Sequence, residues 1–125
     1  MHEAAISQSI VHTVLEEAEK QEAIKVESVE IEIGELTFLG IDQVEFWVKT
    51  NFEETIAQGA TIHFKRVKAE IHCNACEFQG ALAVKEDPGY HMNLPLFSCP
   101  KCESSDIEIT QGKEALIRRI HILRQ

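Results

Sequence analysis

The chain has 125 residues, 44% of them hydrophobic, and a formal charge of −9. That length holds one domain, or one domain carrying a small insert, and it contains no apolar run of about 18 residues, which excludes a membrane-spanning helix. The charge is uneven, with 3 Lys/Arg against 11 Asp/Glu in residues 1–50, a poor match to phosphate backbones, so nucleic acid is not an expected partner.

From Met1 to about Glu22 the chain reads as an amphipathic helix. Ile6, Ile10, Val14 and Ala18 recur at helical spacing, and Val11 and Leu15 widen the stripe. Val26 to Ile33 alternates Val29, Ile31 and Ile33 with Glu30 and Glu32, the pattern of a half-buried strand. Gly34 interrupts it. A second helix is predicted from near Asp42, with Asp42 and Glu45 as a capping-box-like start and Val44, Trp47, Val48, Phe52 and Ile56 as its apolar face.

Ala60 to Ile71 returns to strand, with a change of phase that predicts a bulge near Arg66 or a bend between two strands. Residues 69–109 hold all four cysteines, a short strand-like piece at Ala81–Val84 and the turn Asp87-Pro88-Gly89. Glu114 to Leu123 reads as a last strand buried on both faces, because Leu116, Ile120 and Ile122 share one parity and Ile117 and Leu123 the other. The expected fold is α+β: two helices packed on a three-stranded sheet, with an inserted zinc-knuckle module built on the four cysteines. The expected division is 1–68 with 110–125 as one domain and 69–109 as the other.

The cysteines form two identical short pairs, Cys73-Asn-Ala-Cys76 and Cys99-Pro-Lys-Cys102, separated by 22 residues. Two residues between sulfurs let each pair bend into a tight knuckle that presents two thiolates to one ion. Two knuckles close a tetrahedral shell of four sulfurs, of the kind zinc takes in structural sites. Disulfides or redox pairs are the alternatives. A closed four-sulfur shell has no open position, so it holds a fold together and leaves the function to be found elsewhere. Metal-type cysteines and the lack of a basic-then-apolar leader point to a reducing, cytoplasmic compartment.

The other candidate chemistry lies in the first residues. The α-amine of Met1, the deprotonated amide nitrogen of His2 and its imidazole can fill three corners of a square, an arrangement suited to Ni(II) or Cu(II). One corner stays open for a borrowed donor and for later release of the ion. His91, in the module's loop, is the candidate fourth donor. Glu3 has an ordinary role at the positive end of the first helix. Of the other histidines, His12 is expected in solvent, His72 adjoins Cys73, and His63 and His121 lie in strands without a visible partner. With no phosphate loop, nucleophile elbow or Cys–His arrangement, no catalytic residue is assigned and an enzyme is not expected.

Taken together in this order, Met1-His2-Glu3, Gly34-Glu35-Leu36 and Cys73/Cys76 with Cys99/Cys102 resemble the HypA/HybF family, nickel metallochaperones of [NiFe]-hydrogenase maturation. The resemblance spans essentially the whole chain. It implies Ni(2+) bound through His2 and the first backbone nitrogens with Glu3 implicated beside it, and structural Zn(2+) at Cys73, Cys76, Cys99 and Cys102. It also implies work with a HypB-type GTPase and delivery to the large subunit of [NiFe]-hydrogenase, and in some organisms to urease. Asp42 resembles an acidic position near the family's nickel site. A monomer or weak dimer is expected. The competing readings are a zinc-ribbon adaptor that binds protein or nucleic acid, and a rubredoxin-like iron electron carrier.

Overall fold

The computed structural model describes residues 2–82 and 98–125. In chain order the elements are α1 (His2–Lys20), β1 (Lys25–Gly34), a 3-10 turn (Glu35–Thr37), α2 (Ile41–Phe52), β2 (Thr61–Val67), β3 (Glu70–Cys73), β4 (Gln79–Ala81), β5 (Ile107–Gln111) and β6 (Ala115–Leu123). They form two three-stranded sheets, ordered β2-β1-β6 and β4-β3-β5. The class is α+β, as expected. Two compact units result: Met1–Ile33, Leu39–Lys65 and Ala115–Gln125 make the first, and Gly34–Phe38 with Arg66–Glu114 make the second. Among the described residues no helix is long and apolar enough to cross a membrane.

The first unit has one continuous core. Ile10, Val11, Val14 and Ala18 of α1 meet Val26, Val29, Ile31 and Ile33 of β1 and Val44, Val48 and Phe52 of α2. Burying each larger aliphatic side chain is worth roughly 1.5–3 kcal/mol. The exposed pairs on α1, such as His12–Glu16 at 3.1 Å and Lys20–Glu16 at 3.4 Å, contribute little, because water screens them. The apolar stripe therefore holds the helix in place. Ser7 is fully buried beside it and donates to the carbonyl of Val44 at 3.3 Å, tying α1 to α2.

α1 ends in a Schellman-type turn. Glu22 adopts φ 56°, the Ala23 N–H donates to Ala18 O at 2.9 Å, and the Glu22 N–H donates to Glu19 O at 3.0 Å. The start of α2 differs from expectation. Its N-cap is Gly40, with no side-chain cap of its own, and Asp42 lies in the first turn. The Gly40 N–H is instead taken by Glu3 Oε2 at 3.4 Å, so the reach-back carboxylate of a capping box comes from α1. Trp47 and Ile56 are also not core: they are 39% and 40% exposed, and the buried stripe of α2 is Val44, Val48 and Phe52.

Register irregularities set the faces of the first sheet. In the antiparallel β1–β6 pair, Val26 faces Ile122 and Ser28 faces His121, which leaves Glu27 as an extra residue. That bulge lets Val26 and Val29 point the same way despite their odd spacing. A second irregularity, with Glu30 opposite Arg119 and Ile31 opposite Ile117, leaves Arg118 extra. β6 therefore changes phase midway. Ala115, Ile117, Ile120 and Ile122 pack on the core, whereas Leu116 and Leu123 are 49% and 45% exposed. The last strand is buried on one face, not both.

The change of phase after Arg66 coincides with a break between two strands: β2 ends at Val67 in the first sheet and β3 begins at Glu70 in the second. In the second unit β3 is central, with Ile71 opposite Gly80 on one side and opposite Ile109 on the other. Among the described residues its buried core comprises Ala69, Ile71, Cys73, Leu82 and Cys99, with Leu36, Cys76, Phe78, Ile107 and Ile109 packed against it. β4 overlaps the expected piece at Ala81. Val84, the turn Asp87-Pro88-Gly89 and His91 lie outside the described residues.

Candidate metal centre

The second sheet and its turns bring all four cysteines together. Cys73 ends the central strand β3, Cys76 lies on the following turn, and Cys99 and Cys102 lie on the turn that precedes β5. Their four sulfurs are all within 4.8 Å of one another. Cys73 Sγ is 3.6 Å from Cys102 Sγ, and Cys76 Sγ is 3.7 Å from Cys99 Sγ. A tetrahedron with metal–sulfur bonds of about 2.3 Å needs sulfur separations of about 3.8 Å. The spacing fits one tetrahedral ion. All four cysteines are free thiols, so the disulfide alternative is not realised.

The two knuckles are built alike. In the first, the Cys73 N–H donates to Phe78 O at 2.8 Å, and the Glu77 N–H donates to Cys73 O at 2.9 Å. In the second, the Cys99 N–H donates to Ser104 O at 2.9 Å, and the Glu103 N–H donates to Cys99 O at 2.8 Å. Glu77 and Glu103 both sit at φ 64°, which turns the chain back after the second cysteine. One backbone device thus occurs twice and aims each pair of sulfurs at a common point. The knuckles are joined where the Asn74 N–H donates to Asp106 O at 2.9 Å and Asn74 Nδ2 donates to Asp106 Oδ1 at 3.1 Å.

Electrostatics make the cluster ready for a cation. Burial pushes the Cys99 thiol up, but the N–H groups of Cys102 and Lys101, at 3.5 and 3.4 Å from its sulfur, outweigh it and bring the thiol down to about 7. For Cys102 a backbone hydrogen bond at Ser104 favours the thiolate, yet desolvation and the sulfurs of Cys76, Cys73 and Cys99 push it up to about 12. Four thiolates this close repel one another, so the last protons leave only in exchange for a cation. Cys73 and Cys99 are buried, Cys76 is half-buried and Cys102 exposed. The shell is closed by protein ligands, and its outer corner meets solvent.

The expected nitrogen donors are placed less fully. Met1 and His91 lie outside the described residues, and His2 is the first residue of α1. Glu3 is anchored on Gly40, and its carboxyl is held below the ordinary carboxylate range. The cause is chiefly the hydrogen bond from its own backbone N–H, opposed by burial and reinforced to a lesser degree by the hydrogen bond from Gly40. His12 is exposed, as expected. His121 has a partner that the strand pattern alone did not reveal: Glu30 Oε2 at 3.1 Å across the β1–β6 pair. The facing of Glu30 and Glu32 on one strand by Arg118, Arg119 and His121 on another was its available signal.

A small α+β protein with one core of its own and a second unit gathered around four thiols is the class that fold and site define. Residues 1–122 match the model of the family described as hydrogenase/urease nickel incorporation, metallochaperone, HypA. The chain belongs to the HypA family. It is 40% identical over 119 residues to the hydrogenase maturation factor HypA of Methanococcus maripaludis strain C7, covering 91% of this chain and 89% of that one. It is 34% identical over 122 residues to the protein of the same name from Methanothermobacter thermautotrophicus, with 98% and 97% covered. The solution structure of the Ni metallochaperone HypA from Helicobacter pylori superposes with a TM-score of 0.69 at 26% identity, covering 98% of each chain.

Proposed function

We propose that this chain carries Ni(II) at its N-terminus and passes it on for maturation of [NiFe]-hydrogenase, acting as a carrier and not as a catalyst. Family membership over residues 1–122 is the observation that carries the reading. The ligands are the α-amine of Met1 with the amide and imidazole nitrogens of His2, Glu3 stands beside them, and His91 is the fourth donor. Local structure supports the choice. α1 begins at His2, and the first four N–H groups of a helix have no acceptor within it. The His2 amide can therefore lose its proton to a metal without breaking the helical ladder. The positive end of the helix favours the resulting anionic nitrogen.

Cys73, Cys76, Cys99 and Cys102 hold Zn(2+) in a structural role, and labour is divided between the nickel-carrying first unit and the zinc-stapled second. The partners are a HypB-type GTPase and the hydrogenase large subunit, with urease as a further recipient and the cytoplasm as the compartment. On untagged protein, His2→Ala, or an extension that moves the amine away from His2, abolishes tight nickel binding and leaves zinc content and folding intact. Nickel affinity that survives both changes overturns the assignment. Binding weakens as pH falls through the histidine range, around 6.5, because the imidazole must be unprotonated. Zinc chelation exposes the amides of Asn74, Glu77 and Glu103 to hydrogen exchange and spares those of Ile31 and Val48. Equal protection with and without chelator would contradict the structural role.

A further inference from the structure

The solvent face of α2 carries a feature that neither the fold nor metal carriage uses. Phe46 and Trp47 are 60% and 39% exposed, and their rings meet edge to face, with centroids 5.4 Å apart and planes at 67°. The helix is held on its core by Val44, Val48 and Phe52, so polar residues at 46 and 47 would serve the fold as well. Two adjacent large aromatics in water, rigid and already packed on each other, are the kind of anchor that dominates protein interfaces.

The surroundings specify the partner's charge. Asp42 and Glu45 on α2 and Glu53 and Glu54 just past its end flank the aromatics in sequence, against the single cation Lys49, and Lys49 is already paired with Glu45 at 3.5 Å. The rim is acidic. It repels nucleic acid and anionic lipid surfaces alike. A basic protein surface meets two attractions at once, the rim carboxylates and the aromatic faces, on which guanidinium and ammonium groups stack. The patch also lies close to the start of α1: Gly40, which binds Glu3, precedes Phe46 by six residues, about 9 Å along the helix axis.

We propose that Phe46 and Trp47 are the anchors of a docking surface for a protein that offers an apolar recess ringed by Lys and Arg. The surface is independent of which ion the chain carries; only the choice of probes rests on the reading above. The probes are the purified HypB-type GTPase and the hydrogenase large subunit of the same organism, titrated against immobilised chain by interferometry. The double variant Phe46→Gln/Trp47→Gln weakens binding of at least one probe by about tenfold or more, with thermal midpoint and zinc content unchanged. Glu45→Lys with Glu53→Lys weakens it several-fold at about 0.1 M salt, and the difference shrinks toward 1 M as screening shortens from about 10 to 3 Å. Should the wild type bind neither probe, or the aromatic variant bind both as the wild type does, the proposal is overturned. A concentration-dependent dimer that the aromatic variant dissolves would assign the face to a second copy and overturn the basic partner. Nickel stoichiometry, read on the same variants, stays at the wild-type value. Its loss in His2→Ala is a separate result, so failure of docking and failure of carriage are told apart.

Discussion

Replacing Gly34 by alanine tests how the second unit is assembled. Gly34 has φ −69° and ψ 142°, extended backbone that any residue adopts, so its torsions do not require glycine. Space does. An added Cβ would lie 2.3 Å from Gly112 O, 2.4 Å from the Gly112 carbonyl carbon and 2.9 Å from Glu114 O. These are backbone atoms, with no flexible side chain to swing aside. Reaching ordinary contact means a shift of about 1 Å. That shift strains two hydrogen bonds, Gly34 N–H to Glu114 O at 2.9 Å and Leu36 N–H to Gly112 O at 2.8 Å. Overpacking costs about 1–3 kcal/mol and each lost hydrogen bond about 1 kcal/mol, giving about 3–5 kcal/mol together. A domain's whole stability is only about 5–15 kcal/mol. The variant should release zinc to a chromophoric chelator at much lower urea than the wild type. Gly59→Ala is the control: nothing lies within 4 Å of its added Cβ, and only its φ of 81° is at issue, worth about 1–2 kcal/mol. If Gly34→Ala costs no more than Gly59→Ala, the close-approach argument is wrong.

Three further outcomes follow from local geometry. Glu22→Gly relieves a left-handed residue at the end of α1 and should raise stability by about 0.5–1 kcal/mol in urea unfolding, with no gain for Glu22→Ala. Glu35→Ala leaves the N–H of fully buried Ala69 without its acceptor, Glu35 Oε1 at 3.1 Å. It should cost about 1–3 kcal/mol and hasten zinc loss, and Glu35→Gln should restore most of the difference. Glu3 has a depressed carboxyl pKa, so its charge adds stability above the ordinary carboxylate range, and that contribution is lost as pH falls through the lowered value. The thermal midpoints of wild type and Glu3→Gln should differ at neutral pH and converge in acid.

Periodicity made the core of the first unit readable. The α1 stripe from Ile6 to Ala18 and the Val29, Ile31, Ile33 alternation are each local repeats, and burial follows them. The cysteine pairs were legible for a similar reason, since two residues between sulfurs dictate the knuckle whatever surrounds it. What escaped was set by distant contacts. Asp42 and Glu45 look like a cap, but the carboxylate that reaches Gly40 N–H comes from Glu3, 37 residues earlier. Trp47 matches the apolar pattern of α2 by type and lies beside the stripe, on the wet side. In β6 the extra residue at Arg118 reverses the phase, so a parity count carried through it assigns Leu116 and Ile117 to the wrong faces. Gly34-Glu35-Leu36 offered only the resemblance. Its work lies in the second unit, where Gly34 permits close approach, Glu35 satisfies Ala69 and Leu36 packs on the cysteine core.

The make-up of the two cores bears on which ion such a chain can give away. Among the described residues the first unit buries fifteen in one cluster, and the second buries five, two of them the cysteines Cys73 and Cys99. The described core of the second unit is thus built on the cysteines themselves, and small units of this kind commonly depend on a metal clip. The same sulfurs, packed within 4.8 Å, repel as thiolates unless a cation lies among them. An ion surrendered from the four cysteines would therefore take the fold of the second unit with it, and each delivery would pass through an unfolded state. A transferable ion has to sit where its departure leaves packing untouched. The start of α1 meets that condition, because the stripe from Ile10 to Ala18 holds the helix whether or not its first residues are coordinated.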